Sequence, residues 1–218
     1  MRKLTLIFSC AVLFSCQTAP KKAVLRPAPP DAKAAIASAQ YDVGKGKEKS
    51  AVAKFRKIAT QFPGTDAADT AWAALGKLAL QHHDYKSAST NYLEVLNSPT
   101  QTAYEEEAYV GASKALAQIG RVDEALSLSQ KGLSTARLSL AGILELQRLR
   151  GPLLRETGDV IGSLRAIVYV HDNEKDAVQK QILKNKAFDI ANRLQKKELE
   201  NISGNSDYSF VRGFAAYR

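Results

Sequence analysis

Apolar positions along this chain recur at helical spacing, in segments broken by short polar turns. Ala51-x3-Phe55-x2-Ile58 and Ala88-x3-Tyr92-x2-Val95 are the clearest stripes, with charged or polar residues between them. An i, i+4, i+7 stripe marks an amphipathic helix. Read this way, the sequence predicts helices over 33–42, 48–61, 67–81, 85–97, 103–118, 122–135, 138–156, 160–171, 175–200 and 208–218. Turn residues fall in the gaps: Pro63-Gly64-Thr65-Asp66, His83-Asp84-Tyr85, Gly120-Arg121-Val122-Asp123 and Gly158-Asp159-Val160. Asp84, Asp123 and Asp159 are placed to cap the next helix or to lie in its first turn.

The stripes repeat. Ala51, Phe55 and Ile58 reappear 37 residues later as Ala88, Tyr92 and Val95. Trp72, Leu75 and Gly76 precede the second set, and another 37 residues give Tyr109, Ala112, Ser113 and Ala125. A further 38 give Gln147, Arg150, Gly151 and Ser163. A helical hairpin cannot bury its apolar face alone, so such units stack on one another. Small residues then sit where two helices cross closely, and large ones fill the gap between units.

Trp72-x2-Leu75-Gly76, followed by Ala88, Tyr92 and a proline, resembles the tetratricopeptide repeat. The period exceeds the usual 34 residues. In this it resembles the repeats of BamD-type outer-membrane assembly lipoproteins, YbgF/CpoB-type cell-division coordinators and the N-terminal domain of penicillin-binding-protein activators. Phe62-Pro63-Gly64-Thr65 resembles a link common in that group. The resemblance covers about residues 33–170 and departs from consensus at Arg150 and Ser163. It implies an all-α fold, a right-handed superhelical solenoid of helix-turn-helix repeats.

The N-terminus adds a location. Arg2 and Lys3 precede an apolar run from Leu4 to Ser15, too short to span a bilayer. Leu13-Phe14-Ser15-Cys16 resembles the bacterial lipobox, which implies a signal peptide over 1–15, cleavage before Cys16 and lipid on that cysteine. The alternatives are an ordinary secretory signal or an uncleaved anchor. Gln17 implies outer-membrane sorting, facing the periplasm, in a Gram-negative host. Residues 16–32 read as a basic linker extended by Pro20, Pro27, Pro29 and Pro30. Residues 33–218 read as the repeat domain.

Composition narrows the chemistry. Without residues 1–15 the chain carries 29 basic and 22 acidic residues, and Cys16 is its only cysteine. That removes a disulfide, a cysteine metal site and a cysteine nucleophile. The positive charge lacks interleaved aromatics, so nucleic acid is not the expected partner. No catalytic set, metal site or cofactor is expected. His82 and His83 are adjacent, and adjacent side chains on a helix diverge. His171 stands beside Asp172 near a helix end. Gly44-Lys45-Gly46-Lys47 lacks phosphate-loop spacing and reads as a turn. Glu105, Glu106 and Glu107 read as carboxylates opposing a helix dipole.

What remains is surface. The repeat resemblance implies that the first helix of each unit lines a concave groove. Carried over, the groove residues are Thr70, Lys77 and Gln81, then Glu107, Lys114 and Gln118, then Arg148 and Arg155, with Ala73, Leu80, Val110, Ala117, Glu145 and Glu156 beside them and Pro152 interrupting. Lys77 and Lys114 are equivalent and suit an acidic or C-terminal peptide; the alternative is a solvated basic face. The expected function is a lipid-anchored scaffold for envelope proteins, in cell-wall synthesis, division or outer-membrane assembly. Phe210, Val211, Phe214, Ala215 and Tyr217 form an apolar stripe near residue 218. Either that helix docks back on the preceding unit, or the chain is the N-terminal part of a longer activator or enzyme. The oligomeric state stays open.

Overall fold

The computed structural model describes residues 27–99, 102–134 and 137–194. Among them lie nine helices: α1 (Pro30–Gly44), α2 (Glu48–Gln61), α3 (Asp66–Gln81), α4 (Tyr85–Asn97), α5 (Glu105–Gln118), α6 (Val122–Ser134), α7 (Leu140–Glu156), α8 (Val160–Asn173) and α9 (Ala177–Ala191). The described part is all-helical, as the spacing predicts. Each helix packs on the next, and α1 also touches α3, α3 touches α5, and α5 touches α7.

The helix ends follow local chemistry. Thr65, Asp84, Ser139, Asp159 and Asp176 each accept a hydrogen bond from a backbone N–H in the first turn of the helix that follows. Such caps satisfy donors that have no partner within the helix. Asp123 instead lies in the first turn of α6. The turns between α1 and α2, α3 and α4, α5 and α6, and α7 and α8 each place one residue in the left-handed region: Gly46, His83, Gly120 and Gly158. Those four positions follow the 37-, 37- and 38-residue offsets seen in the sequence. Glycine meets that conformation without a side-chain clash; His83 meets it with its ring Nδ1 hydrogen-bonded to the Tyr85 hydroxyl at 2.9 Å.

Some boundaries differ from expectation. α1 begins at Pro30, three residues inside the stretch read as linker, and proline suits a first helical position. Ala28 and Ala32 are buried there. α9 stops at Ala191 and residues 192–194 form a turn, so the predicted helix over 175–200 is too long at both ends. Pro152 does not end α7, which continues to Glu156. Cys16, the signal segment, most of the linker and the stripe at 210–217 lie outside the described residues.

The core follows the same offsets. Ala51, Ala88, Ala125 and Ser163 are all fully buried on the second helix of each pair. Across from them, Ala39, Gly76, Ser113 and Gly151 are buried on the first helix. In the last pair the small residues touch directly: the Ser163 hydroxyl donates to the Gly151 carbonyl at 2.7 Å. Apolar clusters succeed one another along the chain, with Trp72 shared by the first two and Leu128 by the next.

One small position is chemically imperfect. Ser113 is fully buried and its hydroxyl has no hydrogen-bond partner. A buried, unsatisfied hydroxyl costs about 1–3 kcal/mol. Ser113→Ala keeps the size that the equivalent Ala39 shows to be tolerated. It is expected to raise stability by about 1 kcal/mol, read as a higher urea midpoint with an unchanged slope.

The departures from consensus are paired. Arg150 replaces the apolar residue found at Leu75 and Ala112, and burial lowers the pKa of its guanidinium. That guanidinium donates to the Leu126 carbonyl at 3.0 Å and to the Ser129 hydroxyl at 3.1 Å. Ser129 stands where Phe55 and Tyr92 stand in the earlier units. The missing ring makes room for the arginine, so two departures at adjacent units make one polar contact.

Candidate functional site

The exposed side of α5 faces α7 across a trough. α5 contributes Val110, Lys114 and Gln118, and α7 contributes Glu145, Leu146, Arg148 and Leu149, around a cavity of about 220 Å³. A larger one of about 630 Å³ shares Val110 and Glu145 and extends past Glu107 toward Arg137 and Ala141. Val110 and Leu149 are half-buried, while Lys114, Gln118, Glu145 and Arg148 are exposed. The trough thus has an apolar floor and charged walls, acidic at Glu107 and Glu145 and basic at Lys114 and Arg148.

The three glutamates at the start of α5 set the walls, each differently. Glu105 approaches Arg137 at 3.8 Å. Glu106 accepts from the Ser139 backbone N–H at 2.6 Å and from the Ser139 hydroxyl at 2.7 Å. The same hydroxyl caps α7 by accepting from the Gly142 N–H at 3.1 Å, so the start of α5 holds the start of α7. Glu107 accepts from the Tyr92 hydroxyl at 3.1 Å. Burial, and then the Glu107 carboxylate, push the Tyr92 pKa up, so the ring stays neutral and fixed. The sequence reading gave all three one role, opposing the α5 dipole; different partners, Arg137 and Ser139 ahead of α7 and Tyr92 on α4, separate them.

Of the groove residues expected from sequence, the fold brings Glu107, Lys114, Gln118 and Arg148 together. Arg148 is already engaged by Glu174 at 2.8 Å. The Glu174 carboxyl is held below its usual range, first by the Asp176 and Lys175 backbone N–H groups and then by Arg148. Thr70 turns its hydroxyl back to the Asp66 carbonyl at 2.6 Å. Lys77 and Gln81 are exposed on α3, and neither they nor Thr70 line this trough. Arg155 is exposed in the last turn of α7.

A second hollow of about 410 Å³ was not foreseen. Arg148 and Pro152 of α7, Ile167 and Val170 of α8, and Ile182 and Leu183 of α9 line it. Its sequence signal is Ile182, which lines it and which α9 leaves exposed. The histidines make local contacts: His82 meets Glu48 at 2.6 Å and His171 meets Asp172 at 2.9 Å. Among the described residues, no three His, Cys, Asp or Glu side chains gather as a metal site, and no helix is long and apolar enough to cross a membrane. Compared with known proteins, the chain matches no family model, and no curated protein shows significant similarity to it.

Proposed function

We propose that this chain is a lipid-anchored scaffold of the bacterial envelope, in which stacked tetratricopeptide-like hairpins form a right-handed solenoid that binds protein partners. The trough between α5 and α7 carries the reading. It is an open channel with half-buried apolar residues, Val110 and Leu149, at its base and opposite charges along its walls. Apolar contacts supply affinity there, while the charges set orientation and on-rate. A peptide segment fits this shape. The matching offsets of small buried residues and left-handed turns support the stacked-hairpin arrangement. The lipobox-like Leu13-Phe14-Ser15-Cys16 supports the anchor and an outer-membrane site facing the periplasm. The process served is cell-wall synthesis, division or outer-membrane assembly.

Pull-down from detergent-solubilised envelopes tests the trough. Lys114→Glu is expected to recover at least tenfold less partner than the unaltered chain. Lys131→Glu, the same charge change on α6, is expected to recover it fully. Equal recovery by Lys114→Glu removes the trough as the binding site, and recovery of no partner at all removes the scaffold. Lys77→Glu, assayed alongside, reports whether binding reaches α3.

A further inference from the structure

The charge of the described chain is not evenly spread. Residues 27–61 hold seven basic and three acidic residues, a net of +4. Residues 62–194 hold fifteen basic and sixteen acidic residues, a net of −1. The excess therefore belongs to the first helical pair. Two of its three acids are also engaged: Asp42 by Lys54 at 2.6 Å and by the Ser50 hydroxyl at 2.6 Å, and Glu48 by His82.

The free cations share one face. Lys49, Ala53, Arg56, Lys57 and Thr60 are the exposed positions at i, i+4, i+7, i+8 and i+11 of α2. That spacing is a single helical stripe, with Lys49 and Lys57 about 12 Å apart along the axis. None of the three cations has an ion-pair partner among the described residues. The turn leading into the stripe adds exposed Lys45 and Lys47, and beside it Tyr41 is 62% and Val43 is 38% exposed. The Lys45 ammonium lies over the Tyr41 ring, 5.6 Å from its centre.

The later helices provide an internal control. Shifted by 37 residues, the stripe becomes Lys86, Thr90, Leu93, Glu94 and Asn97 on α4. Shifted again, it becomes Asp123, Ser127, Gln130, Lys131 and Ser134 on α6. Each of those carries one cation and one acid. The same outer position of the fold is cationic only in the pair nearest the N-terminus.

We propose that this face of α2, with the α1–α2 turn, docks on the surface of a bilayer containing anionic phospholipid. Clustered cations are drawn to a negative leaflet, and an aromatic ring is well suited to the headgroup level. The choice of a bilayer over other polyanions rests on the lipoprotein reading. Cys16 stands only 14 residues before Pro30, so a lipid there keeps the start of α1 within about 50 Å of the membrane. Held flat on the surface, α2 fixes the orientation of the helices behind it, which attachment at Cys16 alone does not.

The test uses the chain from residue 16 onward with Cys16→Ser, so that no lipid contributes; every described helix lies within it. Vesicles of phosphatidylcholine alone are compared with vesicles holding phosphatidylglycerol at two parts in five. Binding is expected only to the anionic vesicles, and is expected to be lost in 1 M salt, where screening shortens to about 3 Å. Lys49→Gln/Arg56→Gln/Lys57→Gln is expected to weaken it about a hundred-fold, since each cation near a surface contributes about 1 kcal/mol. Lys86→Gln/Lys131→Gln/Arg165→Gln, with the same change in net charge, is expected to bind within about twofold of the unaltered chain. Circular dichroism checks that both variants stay helical. Equal loss in the two variants, undiminished binding by the first, or equal binding to neutral vesicles each overturns the proposal. Tighter binding to heparin than to anionic vesicles, lost in the first variant, shows a general polyanion site and overturns the assignment to lipid. Failure of the anchor reading appears elsewhere, in lipid labelling at Cys16, and leaves these outcomes readable.

Discussion

Tyr92→Ala is expected to lower the unfolding free energy by about 3–5 kcal/mol, the range for removing a large buried aromatic side chain. Against a typical total of about 5–15 kcal/mol this is a large fraction. The ring is buried between two glycines on different helices. A Cβ added at Gly76 would stand 2.9 Å from it, and one added at Gly111 would overlap it more closely still. Its removal therefore opens a void between α3, α4 and α5. Tyr92→Phe loses only the hydrogen bond to Glu107, about 1 kcal/mol. Gly111→Ala tests the same joint from the other side. The added methyl meets a ring already backed by Gly76, and overpacking costs about 1–3 kcal/mol. Urea unfolding followed by circular dichroism ranks the three. If Tyr92→Ala proves no worse than Tyr92→Phe, the ring is not the wedge that its burial implies.

The second large effect concerns attachment. Cys16→Ser, expressed in a bacterial host, is expected to bring incorporation of radioactive palmitate to background and to abolish the retention in the membrane fraction that survives a 1 M salt wash. A single acyl chain gives only marginal membrane binding, whereas several give a lasting anchor, so losing the attachment residue loses all of it. The helical content is expected to stay unchanged, because Cys16 lies well before α1. Labelling that persists in Cys16→Ser disposes of the anchor.

The helices were legible in the sequence because their signals are local. Ala51-x3-Phe55-x2-Ile58 marks a buried stripe wherever it is read, and Pro63-Gly64-Thr65-Asp66 both stops one helix and starts the next. The C-terminal end of α9 was misread because no glycine or proline marks the turn at 192–194. The site was half legible. The repeat resemblance implies an outward-facing Lys114 and Gln118 on α5, and both are exposed there. They do not reveal that Arg148 is engaged by Glu174, or that Thr70 is turned back on its own helix. Those depend on which side chains the helix crossings bring together. Arg150 shows the same limit: alone it reads as a broken consensus, and only its contact with Ser129 makes it a paired change.

The Glu106–Ser139 clasp joins residues 33 positions apart, from the start of one first helix to the start of the next. Similar ties join α2 to α3 through Glu48 and His82, α3 to α4 through Asp69 and Ser98, and α6 to α7 through Arg150. In a row of units that touch only their neighbours, such ties determine how far a local opening spreads. With ties of this kind between successive pairs, thermal unfolding is expected to be one transition rather than a stepwise fraying, and two separate steps in calorimetry would show that the ties are too weak to couple the pairs.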